Sequence, residues 1–238
     1  MVEVKTTMDH PIAPQRVTPL VTAHSGCEGT AANSLDFLRT AIDAGADFAE
    51  VDVRLATDGV PILMHDEPQA GADLPPTVVS LESAFMFVSS GSIMLNLDLK
   101  DDECVEAVVR LVRKHNLSSR VIASGCRMDR ASRVRDLGPE IPVLLNAEPP
   151  AANVSGAAYD LFVVGACKAA IEHQCCGLNL DYRSCRPALV EYARTRDLPV
   201  SVWTVDDDND LRKMISMGVH SITTNHPRRL VELLKNSA

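Results

Sequence analysis

The sequence predicts an α/β protein of TIM type, a (β/α)8 barrel with a β-hairpin excursion after the second strand. Three observations lead there. Eight short apolar stretches recur, each followed by a helix-periodic segment; polar residues collect on a single side of two of those strands; and His24, Glu50, Asp52, Asp98, Lys100 and Trp203 fall at or near strand carboxyl ends. A barrel of this kind gathers its chemistry at those ends, so residues scattered along the chain would converge in space. The 238 residues suffice to close it with short loops and to bury a substantial core. An open doubly wound sheet is the structural alternative.

Residues 1–19 contain Pro11, Pro14 and Pro19 without a sustained period and read as an N-terminal arm; residues 20–238 read as one barrel domain. The first strand, 20–24 (LVTAH), ends in His24 and runs into a glycine-bearing loop, SGCEGT. Asn33 or Ser34 caps the next helix, in which Leu35, Leu38, Ala41 and Ile42 recur at helical spacing before Gly45 stops it. In the second strand, FAEVDVR, alternation puts Phe48, Glu50, Asp52 and Arg54 on one side and Ala49, Val51 and Val53 on the other. Thr57, Asp58 and Gly59 form a hairpin turn, and 61–64 run back to deliver His65 and Asp66.

A loop at 73–76 and a helix over about 80–90 come next. The strand 93–100 alternates again, with Asn96, Asp98 and Lys100 opposite Leu95, Leu97 and Leu99. A charged helix (101–115), a strand (120–124), a further helix and a strand (141–145) continue the rhythm. Residues 151–173 read as a loop and one helix before the strand 176–181. Helix 187–196, strand 200–205, helix 208–217, strand 221–224 and a last helix from Pro227 complete the count.

Hydrophobic residues make up 46% and charged residues 23%, an ordinary globular balance that indicates neither disorder nor a membrane protein. A net charge of −9 without a long basic run disfavours nucleic acid as a partner, while leaving room for a local positive pocket for phosphate. The opening residues lack the apolar stretch of a secretory signal, so the expected location is cytoplasmic. The apolar segment 156–171 is interrupted by Asp160 and Lys168 and falls short of a membrane span. Seven cysteines without a zinc-type double pair read as reduced thiols, Cys27 as a small, partly buried one.

Glu50 and Asp52 share one strand face. Neighbouring carboxylates repel and are costly to bury unless a cation or a donor offsets their charge, and a metal ion is the economical reading. The hairpin brings His65 back towards them; Asp66 reads equally as an orienting group or a turn cap. Asn225 and His226 read as loop and helix-cap residues, and His10, His115, His173 and His220 as structural.

The segments AHSG, NSL, GADFAEVDVRLATDGVPILMHD, NLDLK, SVWTVDD and GVHSITTNHP, spread from about Thr22 to Pro227, resemble the successive motifs of the glycerophosphodiester phosphodiesterase family. The central block is the specific one. The resemblance implies a TIM-type barrel that hydrolyses a glycerophosphodiester to glycerol 3-phosphate and an alcohol, with a divalent cation and two histidines. Carried over motif by motif, the catalytic histidines are His24 and His65, the metal-binding residues Glu50, Asp52 and Asp98, and the substrate-binding residues Lys100 and Trp203. An oxygen-only site suits Mg²⁺ or Ca²⁺ better than zinc. Imidazole, with an ordinary pKa of about 6.5, both takes and gives protons near neutrality; which histidine does which stays open.

Three positions depart from the family pattern: Ser25 stands where an arginine usually follows the first histidine, Ala32 where a glutamate is usual, and Asp98 where the third carboxylate is usually glutamate. Glu28 is the nearest stand-in for the missing glutamate. The readings that follow are a glycerophosphodiesterase acting on a small-molecule phosphodiester, a sugar-phosphodiester hydrolase or cyclising lyase on the same site, and a catalytically retired barrel that binds phosphate esters.

Overall fold

The structure, a computed structural model, describes residues 18–67, 74–149, 151 and 154–236. Eight parallel strands close into a barrel: β1 (Leu20–Ala23), β2 (Phe48–Leu55), β4 (Met94–Leu99), β5 (Val121–Cys126), β6 (Val143–Asn146), β7 (Gly177–Asp181), β8 (Val200–Trp203) and β9 (Ser221–Thr224). β1 pairs with both β9 and β2, so the sheet has no open ends and the doubly wound alternative is excluded. β3 (Pro61–Leu63) lies outside this ring, antiparallel to β2 with Val53 opposite Leu63. The turn between them carries Gly59 at φ +83, a left-handed conformation that glycine adopts without strain.

One helix follows each barrel strand: α1 (Leu35–Asp43), α2 (Leu81–Val88), α3 (Cys104–Lys114), α4 (Met128–Leu137), α5 (Ala157–Glu172), α6 (Pro187–Arg194), α7 (Asp208–Met217) and α8 (Pro227–Lys235). Among the described residues no helix is long and apolar enough to cross a membrane. The anticipated arm falls mainly on residues 1–17 and the loop at 73–76 begins at Asp73; these positions lie outside the described residues.

Strand alternation sorts the core. Ala49, Val51, Val53, Leu95, Leu97 and Leu99 are buried with the helices in one large cluster. On the other face Leu20, Phe48, Ile122 and Leu144 form a small separate cluster at the amino-terminal end of the barrel. Above this apolar floor the same face turns polar, with Thr22, Glu50, Asp52, Asn96, Ser124, Asn179 and Thr223 all buried. An apolar base under a polar mouth confines the chemistry to one end of the barrel.

Several local expectations shift. Ser34 caps α1, its hydroxyl accepting from the Phe37 N–H at 3.0 Å, and Asn33 does something else. Ile42 is 40% exposed; the buried stripe of α1 is Phe37, Leu38 and Ala41. Cys27 is fully rather than partly buried, and burial pushes its thiol up to about 11, which removes it as a nucleophile. β5 runs two residues past Ser124, through Gly125 at φ +69, and β8 stops at Trp203.

Candidate active site

The carboxyl ends of the strands surround a cavity of about 370 Å³, and all seven residues singled out from the sequence line it: His24, Glu50, Asp52, His65, Asp98, Lys100 and Trp203. They arrive on five different strands or strand exits, which is how a closed barrel turns distant positions into neighbours.

The acids come first, because they are the costliest to bury. Asp52 and Asp98 sit directly opposite one another on β2 and β4. Glu50, Asp52 and Asp98 each offer an oxygen within 4.8 Å of the others. Glu50 is 5% exposed and accepts a hydrogen bond from the backbone N–H of Ser25 at 3.0 Å. Burial, then the charges of Asp52 and Asp98, push the Glu50 carboxyl well above the usual carboxylate range. Lys100 partly offsets this: its ammonium reaches Asp52 Oδ1 at 2.8 Å and Asp98 Oδ2 at 2.5 Å. Burial alone would lower the Lys100 pKa, but the two carboxylates outweigh it and hold the ammonium charged. One ammonium faces three carboxylates, so the cluster has room for further positive charge. Three hard oxygen donors at this spacing, with the Asn96 side chain on the same cavity wall, suit a divalent cation.

Asp52 is held by a clasp from Asn33, one of the two residues expected as the cap of α1. Asn33 Nδ2 donates to Asp52 Oδ2 at 2.7 Å, and the Asp52 N–H donates back to Asn33 Oδ1 at 3.0 Å. The Asn33 N–H in turn donates to Ser25 Oγ at 2.8 Å. Ser25 therefore ties the loop down with its hydroxyl and steadies Glu50 with its backbone. Asn33 sits at φ +57, a left-handed conformation that asparagine tolerates better than most residues. We expect Asn33→Ala to cost about 2–3 kcal/mol, because it strands a buried carboxylate oxygen and places a Cβ-bearing residue without a polar side chain at positive φ. In a thermal melt that is a fall of about 5–10 °C. Asn33→Gly, which keeps the backbone freedom, should recover only the conformational part.

Glu28 does not replace the missing acid. It is exposed and accepts from the Arg228 N–H at 3.3 Å, at the start of α8.

The two histidines have different partners. His24 Nδ1 lies 3.0 Å from Asn225 Oδ1, and Asn225 Nδ2 donates to Asp206 Oδ2 at 2.8 Å. Asp206 also accepts at Oδ1 from the Asn225 N–H (2.8 Å) and from Thr224 Oγ1 (3.0 Å). Burial raises the Asp206 pKa, but these hydrogen bonds outweigh it and leave it below the usual range. A carboxylate only accepts, so the Asn225 NH₂ must face it and the Asn225 oxygen must face His24. The proton of a neutral His24 is thereby placed on Nδ1, and Nε2 is left as an acceptor. Asn225 is thus more than the loop residue expected from sequence.

His65 is 68% exposed in its side chain and lies on the hairpin exit, its Nδ1 2.8 Å from Asp66 Oδ1. The bond from His65 holds the Asp66 carboxyl below its usual range. Arg54 steadies this exit by donating from Nε to the His65 carbonyl at 3.0 Å. Of the two roles open to Asp66, the orienting one is realised.

On the far wall, the Gly125 N–H donates to Asn146 Oδ1 at 3.1 Å and the Gly125 carbonyl accepts from Arg130 at 2.8 Å. Arg130 also lines the cavity, anchored to the Leu99 carbonyl and, at 2.5 Å, to Asp102. Trp203 is half-buried at the end of β8, beside Asp181 in register, and its indole N–H has no hydrogen-bond partner among the described residues. Sequence reasoning missed Asn33, Arg130, Asp206 and Asn225 as site residues. Asn33, Asp206 and Asn225 left a trace, since each lies inside a motif already singled out, whereas Arg130 lies outside all of them.

The family model described as "Glycerophosphoryl diester phosphodiesterase family" matches residues 24–78 and 84–229. A curated protein named glycerophosphodiester phosphodiesterase, from Caldanaerobacter subterraneus subsp. tengcongensis, is 23% identical over 91% of this chain and 98% of its own. Among solved structures, an Oleispira antarctica phosphodiesterase in complex with the product sn-glycerol-3-phosphate superposes with a TM-score of 0.78 at 21% identity, covering 92% of this chain and 97% of that one. A glycerophosphodiester phosphodiesterase from Parabacteroides distasonis superposes at 0.75 with 24% identity, over 92% and 99%.

Proposed function

The chain belongs to the glycerophosphoryl diester phosphodiesterase family, and from that premise we propose that its barrel mouth hydrolyses a small glycerophosphodiester to glycerol 3-phosphate and an alcohol, using a divalent cation, Mg²⁺ or Ca²⁺, and the pair His24 and His65. The observation that supports this most is the meeting of three carboxylates and two differently partnered histidines in one cavity. A phosphodiester is an anion with a poor leaving group; its cleavage needs charge neutralised, a nucleophile deprotonated and the departing oxygen protonated.

Glu50, Asp52 and Asp98 would hold the cation. When bound, it would supply positive charge to the phosphate and acidify the attacking oxygen, that of a glycerol hydroxyl or of water; after attack by the glycerol hydroxyl, water opens the resulting cyclic ester, so one water is consumed on either route. Lys100 adds a second positive charge beside the same acids and contacts the phosphate in place of the cation lost at Ser25. His24, with its proton held on Nδ1 by Asn225, takes a proton at Nε2 and is the base. His65, its ring held at Nδ1 by the carboxylate of Asp66, gives a proton to the departing oxygen. Trp203 flanks the glycerol end.

Release of glycerol 3-phosphate from a panel of glycerophosphodiesters tests the reading. Turnover of at least one member supports it, whereas saturable binding of the whole panel without product would favour a retired enzyme. A cyclic phosphate as the final product would mark a lyase.

Cation binding carries its own pH signature. Because the Glu50 carboxyl is pushed up on folding, its neutral form contributes stability below the ordinary glutamate range, about 4.3, and that contribution is lost as pH rises through the raised value. A cation favours the charged carboxyl against both the burial and the repulsion that raise it. Adding Mg²⁺ or Ca²⁺ should therefore raise the melting temperature more at pH 8 than at pH 5; an equal rise at both would contradict the site.

A further inference from the structure

We propose that the groove between α4 and α5 is a subsite for an apolar chain carried by one of the two groups esterified to the phosphate, so that the enzyme takes amphiphilic phosphodiesters. This rests on the phosphodiesterase reading of the cavity. A second cavity, of about 400 Å³, adjoins the first, and Asn146 and Glu148 line both. Its size falls in the range of small-molecule sites. α4 packs on α3 and α5 on α6, and the groove opens between the two pairs.

Its walls are apolar. Met128 stands on the α4 side, Phe162, Ala166 and Ala169 on the α5 side, with Leu145 of β6 beneath. Three of the four residues on the α5 wall, Gly165, Ala166 and Ala169, are small. At Gly165, which also lines the groove, a Cβ would meet nothing within 4 Å. Met128, which lines the groove, is 51% exposed, and on α5 Leu161, one turn before the groove-lining Gly165, is 74% exposed. Exposed apolar side chains are ordinary singly, but grouped along a groove they mark a contact surface. The junction is polar: Glu148, shared by both cavities, is ion-paired to Arg127 at 2.7 Å. A ligand following both cavities meets charge first and hydrocarbon second.

The test compares glycerophosphocholine with two esters bearing an eight-carbon chain, one on the glycerol and one on the alcohol, below their aggregation concentrations. Each fully buried methylene is worth about fourfold. One of the chain-bearing esters should show a kcat/KM at least tenfold above that of glycerophosphocholine. Gly165→Trp, which fills the groove from an open position, should erase that advantage and leave glycerophosphocholine turnover unchanged. Met128→Glu, on the opposite and exposed wall, should do the same if the tryptophan variant does not fold. Equal kcat/KM for all three esters, or an advantage that survives whichever of the two variants folds, overturns the proposal. If no ester is turned over, the phosphodiesterase reading fails on its own, and calorimetric binding decides the groove. Tenfold tighter binding of a chain-bearing ester, lost in Met128→Glu, supports the subsite, and equal affinities reject it.

Discussion

Replacing Gly125 with alanine is expected to remove nearly all activity and to lower the melting temperature by about 6–12 °C. The residue sits at φ +69 at the end of β5, where a Cβ-bearing residue is disfavoured by about 1–2 kcal/mol. An added Cβ would also lie 2.1 Å from Asp98 Oδ1 and 2.5 Å from the Leu99 carbonyl. Neither neighbour can give way cheaply: the carbonyl is backbone, and Asp98 is tied to Lys100 and faces Asp52. Overpacking of this kind costs about 1–3 kcal/mol more, a total of roughly 3 kcal/mol. The readouts separate two effects. A melt reports the strain, and cation titration reports whether Asp98 has left the cluster. Wild-type cation affinity in a folded Gly125→Ala protein would show that Asp98 is not held against this glycine.

Changing His24 to alanine should reduce kcat by about 10²- to 10⁴-fold with little loss of stability, and His65→Ala should do likewise. His65 is mostly exposed and its bond is to its neighbour Asp66, so its removal disturbs nothing else. The partner of His24 sharpens the test. Asn225→Asp places a carboxylate against His24 Nδ1, where the wild type has an amide oxygen at 3.0 Å. An adjacent negative charge favours imidazolium, so the acidic limb of the kcat/KM profile should move to higher pH. A shift of the basic limb instead would exchange the roles of base and acid.

The fold was legible because its signals are local. FAEVDVR and MLNLDL alternate strictly, and alternation is set by the backbone of a single strand. The hairpin was equally plain from Thr57, Asp58 and Gly59. Convergence of the acids followed from the barrel itself. What stayed hidden were pairings across the ring. Asn225 meets His24 across 201 positions and Asn33 meets Asp52 across 19, and no periodicity encodes such a meeting. Asn33 was also masked by its neighbour, since Asn33 and Ser34 are both good caps and only Ser34 takes that place. Ile42 misled for a related reason: helical spacing permits it, and Phe37 occupies the buried stripe instead. The groove beside α5 was beyond reach, because it depends on how far apart two helices settle.

Phosphorus NMR of glycerophosphocholine incubated with chelator-treated protein, before and after Mg²⁺ or Ca²⁺ is restored, examines the cation, the acids and the products together. The expected spectrum is an unchanged diester in chelator and a growing glycerol 3-phosphate resonance once the ion returns. Hydrolysis at the same rate throughout would contradict a cation held by Glu50, Asp52 and Asp98 as part of the chemistry.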